Sequence, residues 1–415
     1  MITKLTRMWL TRSVKPFLFK NEYDERLLFK DCDNLGLYVH IPFCKSICSF
    51  CPYCKVVYSK EVCDEYIDAL IEEIHIVGNQ YQGKKKTTSL YFGGGTPVLA
   101  INRLKEIIDA IEKHFIITEG IGIELHPSNV EVNILNKLKD IGINKISIGI
   151  QSFHDKYQTI LGRENVDVSK MKDALSKVSF ETVSMDFIFA LPNQTFEDLK
   201  ADIELAFNNG ANHVAVYPFI DFTFTSSIVK PMAKKEKRAL LDAITLYCND
   251  KGYTRNSIWT FSSVKEAKYS SMTRDNFLGF GCSATTLLKD QFKINTFSID
   301  EYCKRIKANQ LPTSLTLRFS LRQRMVYYLF WTAYSTRVDS KDFERFFNVP
   351  LKKMYGLELK AAKWLGFITE NNGIYEMTLK GAFYYHYYEN FYTLAYIDKM
   401  WGIMRKEAFP KRIEL

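Results

Sequence analysis

The sequence contains no run of about eighteen apolar residues, the length a membrane-spanning helix requires. Its opening, MITKLTRMWL, has neither the compact apolar stretch nor the small-residue cleavage site of a signal peptide. Both absences point to a cytoplasmic, reducing environment. A disulfide framework is missing too: the nine cysteines (Cys32, Cys44, Cys48, Cys51, Cys54, Cys63, Cys248, Cys282, Cys303) are an odd number and five of them stand alone, unlike the paired thiols of small secreted domains. Apolar material, by contrast, is abundant. With 415 residues, 47% hydrophobic and 14% aromatic, the chain can bury a large core and carry one or two satellite domains.

The formal net charge of +9 invites an acidic partner: nucleic acid, a membrane surface or a small molecule with several carboxylates. Charge alone does not choose among them. Residues 1–33 open with a basic, acid-free arm whose apolar residues are interleaved with its charges, the pattern of a surface helix docked on the fold or of an arm that touches substrate or membrane.

Six short β-branched-rich runs recur between residues 35 and 219: LGLYVHI, SLYFGG, IGIELH, KISIGI, VSMDFIF and HVAVYPF. Stretches of helical periodicity lie between them, among them EYIDALIEEIHIV and LKEIIDAIEKHF. Alternation of this kind predicts α/β architecture, a parallel sheet curled into a partial (β/α)6 TIM-like barrel over residues 34–222 with its chemistry at the C-terminal strand ends. Residues 223–320 read as a connecting segment that completes the barrel. Residues 321–415 read as a winged-helix-like domain with a tail helix, its hairpin turning at Asn371-Asn372-Gly373. The candidate recognition helix, LKKMYGLELKAAKWLGF, interleaves apolar residues with its lysines, so nucleic acid is not the expected partner.

Residues 38–55, YVHIPFCKSICSFCPYCK, crowd four cysteines into eleven positions. Structural zinc sites use two separated ligand pairs around one ion, and no second pair follows here. A 4Fe-4S cluster held by three thiolates, with one iron left open, suits a C-x3-C-x2-C loop better. The motif, with Phe50 before its third cysteine, resembles the signature of the radical S-adenosylmethionine (SAM) superfamily. YVHIPFC, YFGGGTP, Glu124-x-x-Pro127, SIGIQSF, Leu161-Gly162-Arg163, MDFIFALPNQT and LGFGCSA follow in the order seen in oxygen-independent coproporphyrinogen III oxidases and their relatives, over residues 35–390. Those relatives include radical SAM haem chaperones, anaerobic haem-degrading enzymes, radical C-methyltransferases and cyclopropanases.

The resemblance implies a 4Fe-4S cluster on Cys44, Cys48 and Cys51 and a bound SAM. It implies SAM contacts from Gly94, Gly95 and Thr96, a bidentate pairing of Arg163 with the SAM carboxylate, and oxygens or an amide from Glu124, Gln151 and Asp186 for the ribose and amino group. Tyr38 and Phe50 would flank adenine and cofactor. Cys54 departs from the pattern, because the oxidases have C-x-C after the third ligand whereas Pro52 and Tyr53 intervene here; the expectation is that Cys54 is an accessory thiol and not an iron ligand. A flavodoxin- or ferredoxin-like donor and a small-molecule substrate, a tetrapyrrole first, are the implied partners. A haem chaperone is the first alternative, set against the absence of a His-Asn-x-x-Tyr-Trp stretch before LGFGCSA; methyl or methylene transfer to another small molecule is the second.

Overall fold

A computed structural model describes residues 2–22, 26–264 and 275–415. The six expected strands form as Leu35–Ile41, Leu90–Gly94, Ile121–Leu125, Lys145–Gln151, Thr182–Phe189 and His213–Pro218. They lie side by side in chain order, every neighbouring pair parallel. Helices Lys60–Gly78, Leu104–His114, Val132–Asp140, Val168–Lys177 and Phe196–Asn208 make the crossovers. Local chemistry starts them where the chain must turn. Ser59 and Asp167 accept backbone N–H groups at two N-termini, and Thr195 with Asp198 forms a reciprocal capping box at a third.

A seventh parallel strand, Asn276–Phe280, pairs with Leu35–Ile41 on its free edge. The sequence reading ended the parallel alternation near residue 222, because this strand arrives without a preceding crossover of the same pattern. Its Gly279 is required by packing: a Cβ there would sit 2.2 Å from the Thr285 carbonyl oxygen. Beyond it the sheet continues antiparallel through Thr285–Leu287, Gln291–Asn295, Thr313–Arg318, Leu18–Lys20 and Arg412–Glu414. Thr260–Ser262 and Thr254–Ser257 extend the opposite edge, giving an open sheet of fourteen strands among the described residues.

The two faces of the parallel strands differ sharply in chemistry, as the period of two demands. One face presents Val39, Ile41, Phe92, Ile123, Ile146, Ile148, Met185 and Phe187, all buried with Ile67, Leu70, Ile107, Ile111 and Leu138 of the helices in the main core. Each such side chain contributes roughly 1.5–3 kcal/mol of burial. The other face carries polar groups: Glu124, Ser147, Ser184, His213 and Ser262 stand in register across five strands.

The flanking segments are built into this frame. Helix Ile2–Thr11 packs by helix Leu321–Tyr334, with the Trp9 indole donating to Glu358 at 2.9 Å. Residues 321–377 hold three helices and a three-stranded sheet around their own core of Met325, Tyr328, Phe343, Leu351, Tyr355 and Tyr375. The hairpin turns at Asn372 and Gly373, both at positive φ. Lys352 and Lys363 of the candidate recognition helix both pair with Glu370. No helix among the described residues is long and apolar enough to cross a membrane.

Candidate active site

The cysteine loop leaves the end of strand Leu35–Ile41. Cys44, Cys48 and Cys51 are half-buried, whereas Cys54 is buried. The loop is pinned at several points: Cys51 N–H donates to the Cys48 carbonyl at 3.4 Å, the Ser49 hydroxyl donates to the Leu161 carbonyl at 3.3 Å, and Lys55 donates to the Cys51 carbonyl. Thr96 brings its hydroxyl to 4.0 Å from the Cys44 sulfur. Burial, followed by the neighbouring Cys51 thiol, pushes Cys44 up to about 11. Burial also raises Cys48, an effect opposed by the Arg163 guanidinium.

Among the described residues, the one trio of His, Cys, Asp or Glu whose ligand atoms all lie within 4.8 Å of one another is His40, Cys54 and Cys282.

Gly93, Gly94 and Gly95 let the neighbouring strand end approach this loop. A Cβ on Gly95 would lie 2.5 Å from the Phe43 carbonyl oxygen, and one on Gly94, at φ +115°, would lie 2.6 Å from the His40 ring. Gly94 N–H donates to Glu124 at 3.0 Å, and Gly93 packs between Glu124 and Tyr38. Glu124 is pushed up to about 7 by burial, and Asp186 to about 6 for the same reason. Asp186 accepts from Ser147 at 2.8 Å and Ser184 at 3.2 Å, and Ser184 is bonded to His213 at 2.9 Å. Gln151 ends its strand at φ +73°, a conformation that costs a non-glycine residue energy and gathers at functional sites. Its side-chain amide nitrogen and an Arg163 terminal nitrogen both border the Cβ direction of Gly149.

Arg163 completes the group. Burial lowers its pKa while Cys48, Cys51 and Cys44 hold it up, and its Nε is buried without a hydrogen-bond partner. The structure thus gathers Tyr38, Gly94, Gly95, Thr96, Glu124, Gln151, Arg163 and Asp186 on and around the inner strand ends beside the cysteine loop. Phe50 differs, being drawn into an apolar cluster with Tyr157, Leu161, Ile188, Leu191 and Phe219.

Several participants were not singled out from the sequence. His40, Ser147, Ser184 and His213 lie on the polar face, and strict alternation along YVHI, KISI, VSMD and HVAV could have revealed them. Tyr53 is 53% exposed, and packing around it, with Glu124, Cys51 and Asp186 nearby, holds its phenol above the ordinary value. The tail closes over it. Trp401, in helix Lys399–Met404, contacts Tyr53, Phe222, Phe224 and Phe297 at centroid distances of 6.2, 6.4, 6.5 and 6.0 Å. Arg405 donates to the Pro52 carbonyl and stacks on Phe224.

Comparison with known proteins bears on family and fold. Residues 38–206 match the radical SAM superfamily. The chain is 35% identical over 188 residues to a protein named heme chaperone HemW from Lactococcus lactis, covering 44% of this chain and about half of that relative, 48%. It is 25% identical to the HemW of Bacillus subtilis over 83% of this chain and 95% of that one. The solved structure of the Escherichia coli coproporphyrinogen III oxidase HemN, titled a radical SAM enzyme, shares the fold with a TM-score of 0.72 at 22% identity, covering 86% of this chain and 88% of that one. Residues 38–206 thus match a radical SAM domain, a superfamily whose cofactors are a 4Fe-4S cluster and SAM, and the parallel sheet shares the fold of the solved oxidase.

Proposed function

We propose that the chain is an enzyme acting on a tetrapyrrole, with Cys44, Cys48 and Cys51 as the iron ligands and the inner strand ends as the SAM site. The donor set fits these cofactors. Three half-buried thiols on one loop suit three corners of a cluster. Arg163 offers a planar guanidinium with an unsatisfied nitrogen, which matches a carboxylate. When bound, the reduced cluster and SAM supply a one-electron cleavage that yields methionine and a 5′-deoxyadenosyl radical able to remove a hydrogen atom from substrate.

The chain's own residues bind, orient and shelter. Glu124, fixed by Gly94 N–H, and Asp186, fixed by two serines, offer acceptors to the ribose hydroxyls and amino group, with Gln151 beside them. Gly95 and Thr96 border the loop, and Tyr38 flanks the adenine side, while Phe50 packs the far side of the loop onto its apolar cluster. Tyr53 and Trp401 keep bulk water from the interior. A flavodoxin- or ferredoxin-class protein supplies the electron.

One observation carries the substrate class. Lys55, Arg163 and Arg405 surround the cysteine loop, and Tyr53, Trp401, Phe222, Phe224 and Phe297 form a connected aromatic wall next to it. Cations with flat aromatic surface suit a planar macrocycle bearing carboxylates. A haem carrier is the second reading, favoured by the name that both sequence relatives bear. The stretch set against it, before LGFGCSA, holds no histidine in the sequence; its residues 265–274 lie outside those described.

Reduced, cluster-loaded protein incubated anaerobically with SAM and either coproporphyrinogen III, haem or no addition decides between them by mass spectrometry. The expected outcome is 5′-deoxyadenosine that rises with one tetrapyrrole, together with a covalent change to it. Stable binding of intact haem without substrate-dependent 5′-deoxyadenosine would establish the carrier. Stimulation by neither would transfer the assignment to radical methyl or methylene transfer on another small molecule.

A further inference from the structure

We propose that Cys54, Cys282 and His40 form a second metal site, for a thiophilic, redox-inactive divalent ion of the zinc class, behind the cysteine loop. The two sulfurs are 4.0 Å apart, close to the roughly 3.8 Å edge of a tetrahedral zinc–thiolate site. All three residues are buried, with 6%, 0% and 3% exposure, and their ligand atoms converge within 4.8 Å. Two sulfurs and an imidazole favour zinc-class ions over magnesium or calcium, which prefer oxygen.

The surroundings supply the supporting contacts that such a site needs. His40 Nδ1 is bonded to the Tyr38 hydroxyl at 3.0 Å, and Nε2 to the Cys54 carbonyl at 2.9 Å. A partner on the far ring nitrogen is the usual way to orient a ligating histidine. The Ser283 hydroxyl, 3.4 Å from Nε2, and the Phe297 carbonyl, 3.3 Å from the Cys54 sulfur, are oxygens in reach of the fourth position. Protons balance as follows: two thiol protons leave to solvent, and the neutral imidazole moves its proton from Nε2 to Nδ1, where it faces Tyr38. No electron moves. The ion would staple the end of the cysteine loop to the strand end at Cys282, holding the loop without contacting iron.

Metal analysis separates this site from the cluster. The protein in which Cys44, Cys48 and Cys51 are all replaced by alanine, incubated with zinc and desalted, should keep about one zinc per chain, and cobalt in its place should show sulfur-to-metal charge transfer. Adding Cys282→Ser should lower zinc affinity at least about tenfold, the scale on which losing a metal contact is felt. In the otherwise unaltered chain, Cys282→Ser should lose zinc and keep its iron, which decides the matter should the triple variant fail to fold. Absence of bound zinc from the folded, unaltered chain, zinc retained undiminished in Cys282→Ser, or a Cys54–Cys282 disulfide in anaerobically purified protein would each overturn the proposal. Because zinc is read independently of SAM turnover, its failure leaves the tetrapyrrole reading untouched, and the reverse holds.

Discussion

Arg163 concentrates the electrostatics of the site in one side chain. It is a desolvated cation beside three thiols, with a nitrogen that nothing in the described chain satisfies. Arg163→Ala should weaken SAM binding about ten- to hundredfold, as expected for loss of a charge-assisted contact of roughly 1.5–3 kcal/mol, with little change in the fold. Calorimetric titration of the loaded protein measures it, and an unchanged dissociation constant would return Arg163 to a purely structural role. Glu73 supports a different prediction. Its buried carboxylate accepts from Gly281 N–H at 2.7 Å, the Tyr302 hydroxyl at 2.6 Å and Asn295 at 2.9 Å, while burial pushes it up to about 7 from the ordinary 4.5. The folded chain therefore holds a proton that the unfolded chain releases between those values, and stability falls as pH rises through that window, then levels off. Glu73→Gln removes this titration. Relative to the unaltered chain, the variant should gain on the order of 2–3 kcal/mol between pH 4.5 and 7.5, read from urea midpoints; a constant difference would mean that Glu73 is ionised throughout. Residues such as Arg163 were visible in the sequence because motifs mark them. Glu73 was not, since it sits in the helical run EYIDALIEEIHIV, where one glutamate looks like another and only the fold turns it inward.

At the scale of elements, the parallel strands were legible because alternation and β-branching leave a strong local signal, and each ran into its own polar or glycine signature. Asn276–Phe280 was not recognised as the seventh strand, since what makes it parallel is its partner Leu35–Ile41, remote in sequence. The sequence predicts a tail helix, but what that helix covers is set by tertiary contact. It continues from helix Leu379–Tyr392 through a π-helical turn, Thr393–Asp398, a form frequent at functional sites. Asp398 there accepts from both the backbone N–H and the hydroxyl of Thr223 at 2.8 Å. Trp401→Ala should loosen this arrangement, costing roughly 1–3 kcal/mol through lost aromatic contacts. Hydrogen exchange should accelerate at residues 52–55 and 222–225 and stay unchanged in the parallel strands. Unaltered exchange at 52–55 would show that the cysteine loop keeps its order without the tail.

At the scale of the whole molecule, one sheet serves two purposes: its aliphatic face supplies the core, and its polar face lines the candidate site. The final strand, Arg412–Glu414, lies against Leu18–Lys20, and the segment just before it covers Pro52 and Tyr53. During synthesis, then, the thiols of the cysteine loop emerge long before their cover exists, and the early strand waits for a partner at the far end of the chain. Docking the tail is a late event, with the slowness that distant pairing carries. On the proposed assignment, the loop takes up its iron while still open, before Trp401 and Arg405 cover it.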